Sequence, residues 1–318
     1  MRAILVPVPG GPEALAGGEA TEPVAREGEV LVRVRATAVN RADLLQAAGK
    51  YPPPPGESEI LGLEAAGIVE GTGERVLFLL PGGGYAEKVA VPRGMLMPIP
   101  DGMPFEEAAA VPEAWFTAYL NLFREGSLVT GERVLLHAAA SGVGTAAIQL
   151  ARDAGATVVA TVRSAAKAAP LAGLGADFVV DSSARDFAEA IEERYGPNAI
   201  DLVLDPVGGP GLGRNVRVLA RRGRLVIIAT MGGGSAELDL RAVLSKRLRL
   251  VGSTLRARPL VEKVDLTAAF VRDVLPGFRG GRFRSLVDST FPIERAADAH
   301  RRMAANENVG KIVLTVGA

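Results

Sequence analysis

The sequence predicts an α/β protein in which a doubly wound parallel sheet domain is joined to a smaller, strand-rich domain. Up to about Pro112 the apolar residues come in short runs interrupted by glycine and proline, a pattern typical of strands in a small barrel or sandwich. Beyond Pro112, runs typical of buried strands alternate with helical stretches. Such alternation specifies a parallel sheet that is covered by helices on both faces.

The strand-rich part contains the apolar runs RAILVPV, EVLVRVRATAV, AAGIVEG, ERVLFLL and YAEKVAV. The alternation in VLVRVRA predicts a strand with one buried face. Between the second and third runs lies KYPPPPGE, residues 50–57. Consecutive prolines exclude a helix or a central strand, so this segment is predicted to be a stiff loop.

The second part alternates strands and helices in a regular order. RVLLHA (133–138) predicts the first strand, VGTAAIQLARDAG a helix that ends at Gly155, and ATVVATV the next strand. The series continues through AAKAAPLAGLG, DFVVD, ARDFAEAIEERYG, IDLVLDPVG, a helix near 212–222, RLVIIATMGGG and RLRLVGSTL (247–255). The right-handed crossover rule then gives a doubly wound fold. Past Arg256, two helical stretches precede KIVLTV, which has no partner in the parallel set and is expected to return to the first domain.

These patterns divide the chain into a discontinuous domain, residues 1–114 with 257–318, and a parallel-sheet domain, residues 115–256. Lys plus Arg equals Asp plus Glu at 36 each, so no net field draws the protein to nucleic acid or to an acidic membrane surface. The chain has no cysteine, which excludes disulfides, thiolate zinc sites, iron–sulfur clusters and a cysteine nucleophile. The apolar run in MRAILVPVPG is too short for a secretory h-region, and no stretch reaches the roughly 18 apolar residues of a membrane span. We therefore expect a cytoplasmic protein.

The turn after the first strand of the parallel-sheet domain has the spacing of a dinucleotide fingerprint in which two glycines are replaced. The G-x-G-x-x-G positions are Ala139, Ser141 and Gly144, with a further glycine at Gly142. Ala and Ser are the smallest substitutes, Gly142 still permits close approach, and the helix N-terminus offers free N–H groups. A packed turn without a ligand is the alternative. The order strand, turn, helix, strand favours a nucleotide.

The end of the second strand indicates which nucleotide is bound. NAD enzymes place Asp or Glu there, roughly 20 residues past the turn, to bind the ribose 2′-OH. This chain offers Arg163, Ser164 and Lys167 instead. With no acid to repel a 2′-phosphate, and with two cations and a hydroxyl to bind one, NADPH is the predicted cofactor. Taken alone, either Arg163 or Lys167 could equally be a solvated surface charge without a ligand.

Several segments carry a resemblance to a known family. They are NRADLLQ (40–46), GKYPPPPG (49–56), LGLEAAG (61–67), LPGGG (80–84), PEAWFTAY (112–119), SGVGTAAIQLA (141–151) and NVGKIVL (308–314). Together they resemble the medium-chain dehydrogenase/reductase superfamily, above all its zeta-crystallin type of NADPH:quinone oxidoreductase. The resemblance implies a Rossmann domain and a GroES-like domain formed by the N-terminal and C-terminal segments. It also implies a homodimer, in which the edge strands RLRLVGSTL of two copies pair across a twofold axis.

The resemblance also shows what is missing for zinc chemistry. Zinc alcohol dehydrogenases of this superfamily bind their metal through Cys and His at the places where this chain has Asn40, Arg41 with Asp43, and Leu63. Those side chains cannot build a tetrahedral zinc site, so no metal is expected. Without a Lewis acid, hydride transfer needs an acceptor that is already electron-poor. We therefore expect a metal-free, NADPH-dependent quinone reductase that acts on a small molecule.

The resemblance further implies the site residues. Asn40 and Tyr51 would lie near the nicotinamide, Asn40 holding the ribose or the acceptor oxygen, and Tyr51 donating a hydrogen bond or stacking on a flat acceptor. A Tyr51 ring packed on the following prolines is an equal alternative. The remaining cofactor contacts carried over by position are Thr117, Ser141, Gly142, Val143, Ser164, Lys167, Ala229, Thr230, Met231, Gly232, Leu255, Arg256 and Lys311. Ser182 stands where many relatives have a tyrosine. Of the two histidines, His137 is expected to be buried and satisfied, and His300 solvated.

Two alternatives to a quinone reductase stay open. One is an enzyme of the same architecture that reduces enones or enoyl thioesters. The other is a nucleotide-binding protein with a structural or sensing role, which turnover with any acceptor would exclude.

Overall fold

The computed structural model describes residues 1–317, which form two compact units. The first unit joins Met1–Phe116 to the segment that begins at Leu255, and the second unit is Thr117–Thr254. The first contains a mostly antiparallel sheet and the second a parallel sheet. The predicted fold class is therefore confirmed, including a β-rich domain built from two separate parts of the chain.

The N-terminal part of the first unit consists mainly of strands. Its elements are β1 (Arg2–Leu5), β2 (Ala16–Glu19), β3 (Glu29–Val39), α1 (Arg41–Ala47), β4 (Glu64–Val69), β5 (Arg75–Leu79), β6 (Lys88–Pro92), β7 (Met97–Pro98), α2 (Phe105–Ala109) and α3 (Pro112–Tyr119). Strand β3 shows the predicted alternation, with Val32 and Val34 buried and Arg33 exposed. Residues 50–57 form neither helix nor strand, as the prolines predict.

The second unit contains the predicted alternation of strands and helices. After a π-helical segment (Leu120–Glu125) come β8 (Arg133–Leu136), α4 (Gly142–Asp153), β9 (Thr157–Val162), α5 (Ala168–Leu174), β10 (Phe178–Asp181), α6 (Phe187–Tyr195), β11 (Ile200–Asp205), α7 (Leu212–Val218), β12 (Leu219–Ile227), α8 (Leu240–Lys246) and β13 (Arg249–Gly252). All strand pairs are parallel, in the order β10-β9-β8-β11-β12-β13. Burial of the sheet on both faces explains why its strands are continuous apolar runs.

The helix predicted near 212–222 was wrong at its C-terminal end. Helix α7 stops at Val218, and β12 begins at Leu219, which pairs with Ile200. The register then shifts between Ile200 and Leu202, and Arg222 has a φ of 65° within the extra residues of β12. Sheet pairing and burial of Leu219 in the core therefore override the helical pattern.

The C-terminal part of the first unit completes its sheet. It contains α9 (Leu260–Asp273), α10 (Leu275–Arg279), β14 (Val287–Pro292), α11 (Ala296–Ala304) and β15 (Lys311–Thr315). Strand β15 lies antiparallel to β3, with Ile312 opposite Val39, so the predicted return of KIVLTV to the first domain is confirmed. Strand β14 escaped prediction because VDSTFP is only partly buried and has little apolar periodicity.

Several 3₁₀ helices connect these elements, at Pro12–Ala14, Arg93–Met95, Ala165–Lys167, Gly209–Gly211 and Ile293–Arg295. The order of the large sheet in the first unit is β14-β15-β3-β4-β5-β7, with β6 also paired to β3. Within residues 1–317, no helix combines the length and the apolar character that crossing a bilayer requires.

Strand β13 is an edge of the parallel sheet, and we predict that it is a dimer contact. It exposes Leu250, and the preceding helix α8 exposes Leu240 and Leu244. Exposed edges with apolar side chains are normally paired or covered. Light scattering at micromolar concentration should therefore give twice the chain mass of 33.0 kDa.

The matched variants are Leu250→Lys on the edge strand and Val129→Lys at another exposed apolar position of the same unit. Leu250→Lys should shift the mass toward the monomer because like charges would face each other across the twofold axis. Val129→Lys should not. A monomeric mass for the unsubstituted chain would exclude this dimer.

Candidate functional site

In the second unit, the predicted cofactor residues meet at one edge of the parallel sheet. Ser141, Gly142 and Val143 follow β8, Arg163, Ser164 and Lys167 follow β9, and the turn 229–232 follows β12. All of these segments leave the carboxyl ends of parallel strands. In open α/β sheets, ligands bind outside these ends.

The turn after β8 fits a dinucleotide phosphate group. Ser141 is the N-cap of α4, and its Oγ accepts from the Gly144 N–H at 3.1 Å. A Cβ at Gly144 would lie 2.4 Å from the Ala139 carbonyl oxygen, so this glycine is required for close packing of the turn on the helix. Gly142 and Val143 are partly exposed in the first turn of α4, where helix N–H groups have no partner within the helix. The residues present therefore fit a bound phosphate.

The segment after β9 places the predicted 2′-phosphate residues in solvent-accessible positions. Arg163 is exposed, whereas Ser164 and Lys167 are partly buried. Ser182 follows the neighbouring strand β10, and its hydroxyl donates to the Val162 carbonyl at 2.9 Å. Ser182 therefore supports the backbone next to Arg163.

Two glycine-containing loops pack against each other at the same sheet edge. The Gly232 N–H donates to the Val207 carbonyl at 2.7 Å, and a Cβ at Gly209 would lie 2.7 Å from the Gly232 oxygen. The buried Asp205 accepts from the N–H groups of Val207 and Gly208 at 2.7 and 3.0 Å. This carboxylate therefore shapes the loop that supports the 229–232 turn.

A buried chain of polar side chains continues from Asp205. Asn215 donates to Asp205 at 2.9 Å and accepts from His137 Nε2 at 2.7 Å, while Thr161 is bonded to His137 Nδ1 at 2.9 Å. Burial lowers the pKa of His137, so the imidazole is neutral. Both of its nitrogens are bonded, in agreement with a structural role.

In the first unit, the centre of the site is the buried Glu64 carboxylate. Lys311 Nζ and Asn40 Nδ2 lie 2.6 and 2.8 Å from its Oε1, and the Glu113 backbone N–H donates to Oε2 at 2.8 Å. Glu64 and Lys311 are 0% and 4% exposed. A charged side chain that is buried to this extent is tolerated inside a protein only when it is paired with an opposite charge and hydrogen-bonded.

Asn40 and Lys311 use their donors almost entirely within the protein. The Asn40 amide donates to Glu64 and to the Ala38 carbonyl, and its Oδ1 accepts from Lys311 at 2.6 Å. Lys311 donates also to the Val39 carbonyl at 3.1 Å, which accounts for its three N–H groups. The partly exposed Asn40 is therefore left with one acceptor lone pair for a ligand, and Lys311 acts by orienting Asn40.

Asp43 ties the loop that carries Asn40 to the neighbouring strand. Its carboxyl oxygens accept from the N–H groups of Asn40 and Gly62 at 2.7 and 3.1 Å. Complete burial raises the pKa of Asp43 to about 6, against the lowering effect of these two bonds. The carboxyl group fixes the start of α1 and hence the position of Asn40.

The expectation that His300 is solvated was wrong. His300 is 1% exposed, and its Nε2 lies 3.1 Å from the Tyr85 hydroxyl, which in turn lies 3.4 Å from Asp43. Burial lowers the pKa of His300 to about 4, so the ring is neutral. The charged residues around it cover the opposite face of α11, while Ala299, His300 and Met303 face the core.

Arg256 holds the loop that carries Tyr51. Its guanidinium donates to the Pro81 carbonyl at 2.7 Å, to Gln46 Oε1 at 2.8 Å and to the Tyr51 carbonyl at 3.4 Å. It also lies 5.2 Å from the centre of the Tyr51 ring, a cation–π contact. Burial raises the pKa of Tyr51, so its hydroxyl is a neutral donor. Leu255 beside it is buried.

The residues at the position of the zinc site in related enzymes do not fit this metal. Asn40 is bonded to Lys311, and Leu63 is buried. Within residues 1–317, no three His, Cys, Asp or Glu side chains are grouped so that they could hold a metal ion. An ammonium group 2.6 Å from Glu64 supplies the positive charge of this cluster.

Sequence reasoning missed the acids of this cluster, Glu64, Asp43 and Glu113, as functional candidates. In the sequence, Glu64 and Glu113 stand out only as parts of LGLEAAG and PEAWFTAY. A charged residue inside an otherwise apolar run is the signal that could have identified Glu64, because such a residue is buried only with a partner.

Comparison with known proteins agrees with this geometry. The family description "Alcohol dehydrogenase GroES-like domain" matches residues 26–101, and "Zinc-binding dehydrogenase" matches residues 142–269. The quinone oxidoreductase of Lama guanicoe is 30% identical over 99% of this chain and 97% of its own. The synaptic vesicle membrane protein VAT-1 homolog of Danio rerio is 33% identical over 92% of this chain, which spans 65% of that relative's length.

Among solved structures, the quinone oxidoreductase from Thermus thermophilus, determined also in complex with NADPH, superimposes with a TM-score of 0.86. It is 35% identical, with 99% of this chain and 100% of that chain covered. Relatives that carry different names thus match this chain over nearly its whole length. The likeness extends to the whole superfamily and does not single out its zeta-crystallin type.

We predict that Lys311→Met destabilises the first unit by about 3–5 kcal/mol, because it leaves Glu64 buried without its cation. The measurement is the free energy of unfolding in urea. The control is Lys88→Met, which removes partly exposed ion pairs with Glu22 and Glu70 and should cost no more than about 1 kcal/mol. Similar small losses in both variants would mean that the Glu64–Lys311 pair does not stabilise the site.

Proposed function

Because this chain belongs to the medium-chain dehydrogenase/reductase superfamily and is therefore an NAD(P)-dependent oxidoreductase, we propose that it reduces quinones with NADPH and without a metal ion. The observation that carries the proposal is the cluster of Asn40, Glu64 and Lys311. The Asn40 amide stands at one of the expected zinc-ligand positions, and it is bonded to the carboxylate of Glu64 and the ammonium group of Lys311. Two proteins with quinone oxidoreductase in their names support the choice of acceptor.

The second unit would hold the cofactor. The free N–H groups at the start of α4 and Ser141 suit the pyrophosphate, and Arg163, Ser164 and Lys167 suit the 2′-phosphate. The turn 229–232 and Thr117 would complete the contacts. NADPH supplies a hydride when it is bound.

The first unit would orient the acceptor. Tyr51 donates a hydrogen bond from its neutral hydroxyl to the acceptor oxygen, and Arg256 keeps its loop in place. Asn40 accepts a hydrogen bond through Oδ1 from a ligand hydroxyl, such as that of a ribose, because its two N–H groups are bonded to Glu64 and Ala38. Of the two ligands expected for Asn40, the ribose and the acceptor oxygen, this arrangement favours the ribose.

We predict that Lys167→Ala weakens NADPH binding by roughly ten- to a hundredfold, because a charge-assisted hydrogen bond contributes about 1.5–3 kcal/mol. The dissociation constants of NADPH and NADH are measured by fluorescence titration. NADH affinity should hardly change, and Arg185→Ala, an exposed position in the same unit, should affect neither cofactor. Equal weakening of both cofactors would contradict a 2′-phosphate contact.

We predict that Tyr51→Phe lowers kcat/KM for quinones by about three- to tenfold, the contribution of one neutral hydrogen bond. The Phe ring retains the contact with Arg256, so NADPH affinity should be unchanged. Tyr195→Phe, on α6 of the second unit, is the control. Steady-state oxidation of NADPH is followed against a panel of quinones, enones and enoyl thioesters before and after prolonged EDTA treatment.

The same assay tests the function itself. Turnover of quinones that survives removal of metal supports the proposal. If enones or enoyl thioesters react and quinones do not, the enzyme is an enone reductase. Tight NADPH binding without turnover of any acceptor would favour a structural or sensing protein, and zinc-dependent turnover would overturn the metal-free reaction.

A further inference from the structure

Glu113 lies next to the Glu64 cluster. It lies in the first turn of α3, and its backbone N–H is bonded to Glu64. The following residues, Trp115 and Phe116, are buried, and Phe116 stacks on Phe270 with ring centres 4.5 Å apart. The start of α3 is therefore bonded to Glu64, and its next turn is packed in the core.

As a residue, Glu113 is partly exposed, whereas Glu64 and Asp43 are buried. Among residues 1–317, no side chain or backbone group forms a hydrogen bond or ion pair with the Glu113 carboxyl group. The carboxyl oxygens of Glu113 are therefore not committed to another group of the protein.

Charged and titratable groups from several elements of the first unit lie around this carboxyl group. They are Glu64 on β4, Asp43 on α1, Lys311 on β15, Arg256 after β13, Lys263 on α9 and the hydroxyl of Tyr51. Burial first, and then the negative charges of Glu64 and Asp43, raise the pKa of Glu113 to about 8, although Lys311 and Arg256 act in the opposite direction. The two cations are already bonded to other groups. Glu113 is therefore a carboxylic acid at neutral pH.

We propose that Glu113 is the proton donor of the reaction and delivers its carboxyl proton to the acceptor oxygen. The inference rests on the function proposed above. Hydride addition reduces the quinone by two electrons and leaves a negative charge on an oxygen. The O–H bond of Glu113 breaks, an O–H bond of the hydroquinone forms, and the Glu113 carboxylate regains a proton from solvent. NADPH, quinone and one proton thus give NADP⁺ and hydroquinone.

The neighbouring acids and bases are less suited to this step. Asp43 is inaccessible, and Glu64 holds Lys311 and Asn40. His300 is buried and neutral with a pKa of about 4. The pKa of Tyr51 is raised, so its hydroxyl retains its proton and binds the acceptor. The ideal donor has a pKa near the working pH, and Glu113 meets this condition.

The test compares wild type, Glu113→Gln and a control, Glu107→Gln, in which the exposed side chain of α2 is changed. Gln can donate a hydrogen bond but cannot transfer a proton. At pH 7, Glu113→Gln should lower kcat/KM for a quinone by about a hundredfold, the lower end of general acid catalysis. NADPH affinity and the unfolding midpoint should stay close to wild type. Glu107→Gln should change none of these values.

The pH profile separates a proton donor from a residue that only supports the fold. Wild-type kcat/KM should be constant below pH 8 and fall about tenfold per pH unit above it, as the donor loses its proton. The pH profile of Glu113→Gln should lack this fall above pH 8, so the kcat/KM values of the two enzymes should converge at high pH. Independently of turnover, infrared spectra of the wild type at pH 7 should contain a protonated carboxyl band that disappears through pH 8 and is missing in Glu113→Gln.

Three outcomes are distinguishable. If wild type does not turn over any quinone, the proposed function fails. If wild type reduces quinones, but Glu113→Gln does so equally well or keeps the alkaline limb, the assignment of Glu113 is overturned and the function stands. If Glu113→Gln loses activity together with NADPH binding or stability, the residue is structural, and the inference is overturned as well.

Discussion

The buried ion pair of Glu64 and Lys311 is the interaction on which the site of the first unit depends. It joins β4 to β15, which lie on either side of β3. The Asn40 amide is oriented between the two charges, and the start of α3 is bound to the second Glu64 oxygen. The cost of removing two charges from water is offset because nearly every donor and acceptor of the pair is used. Loss of either charge would therefore disturb several elements at once.

The same ion pair bears on the chemistry proposed for this unit. An ammonium group whose N–H donors are all bonded can orient a neighbouring side chain, but it cannot coordinate and polarise a substrate oxygen as a Lewis acid does. In the reaction proposed above, activation of the acceptor comes from its own electron deficiency, from hydrogen bonds and from a proton. In the proposed reaction Tyr51 and Glu113 fill these two roles, and Arg256 holds the loop of Tyr51 in place.

The alternation of strands and helices in the second unit, the strand–turn–helix order around Ser141 and the return of KIVLTV could all be predicted, because each is encoded locally in apolar runs or in small residues. The Glu64–Lys311 pair could not be predicted. Its partners are 247 positions apart, and the residues around Glu64 contain no pattern that identifies Lys311 as its partner. The burial of His300 was not predicted, because the charged residues beside it on α11 dominate the sequence pattern and the buried face that it shares with Met303 is narrow. The end of α7 was misplaced because sheet pairing, a tertiary effect, competed with helical periodicity.

The placement of Lys311 on β15 has a consequence for biosynthesis. The second unit is one continuous segment, Thr117–Thr254, so all of it is available for folding while later residues are still being added, and domains generally fold as units during synthesis. The first unit is interrupted by this segment, and Lys311, the partner of Glu64, is synthesised 247 residues after Glu64. Until then β3 lacks its neighbour β15 and exposes an unpaired edge. A nascent chain therefore carries a finished nucleotide domain beside an incomplete, aggregation-prone one, which is the stage at which chaperones would be needed.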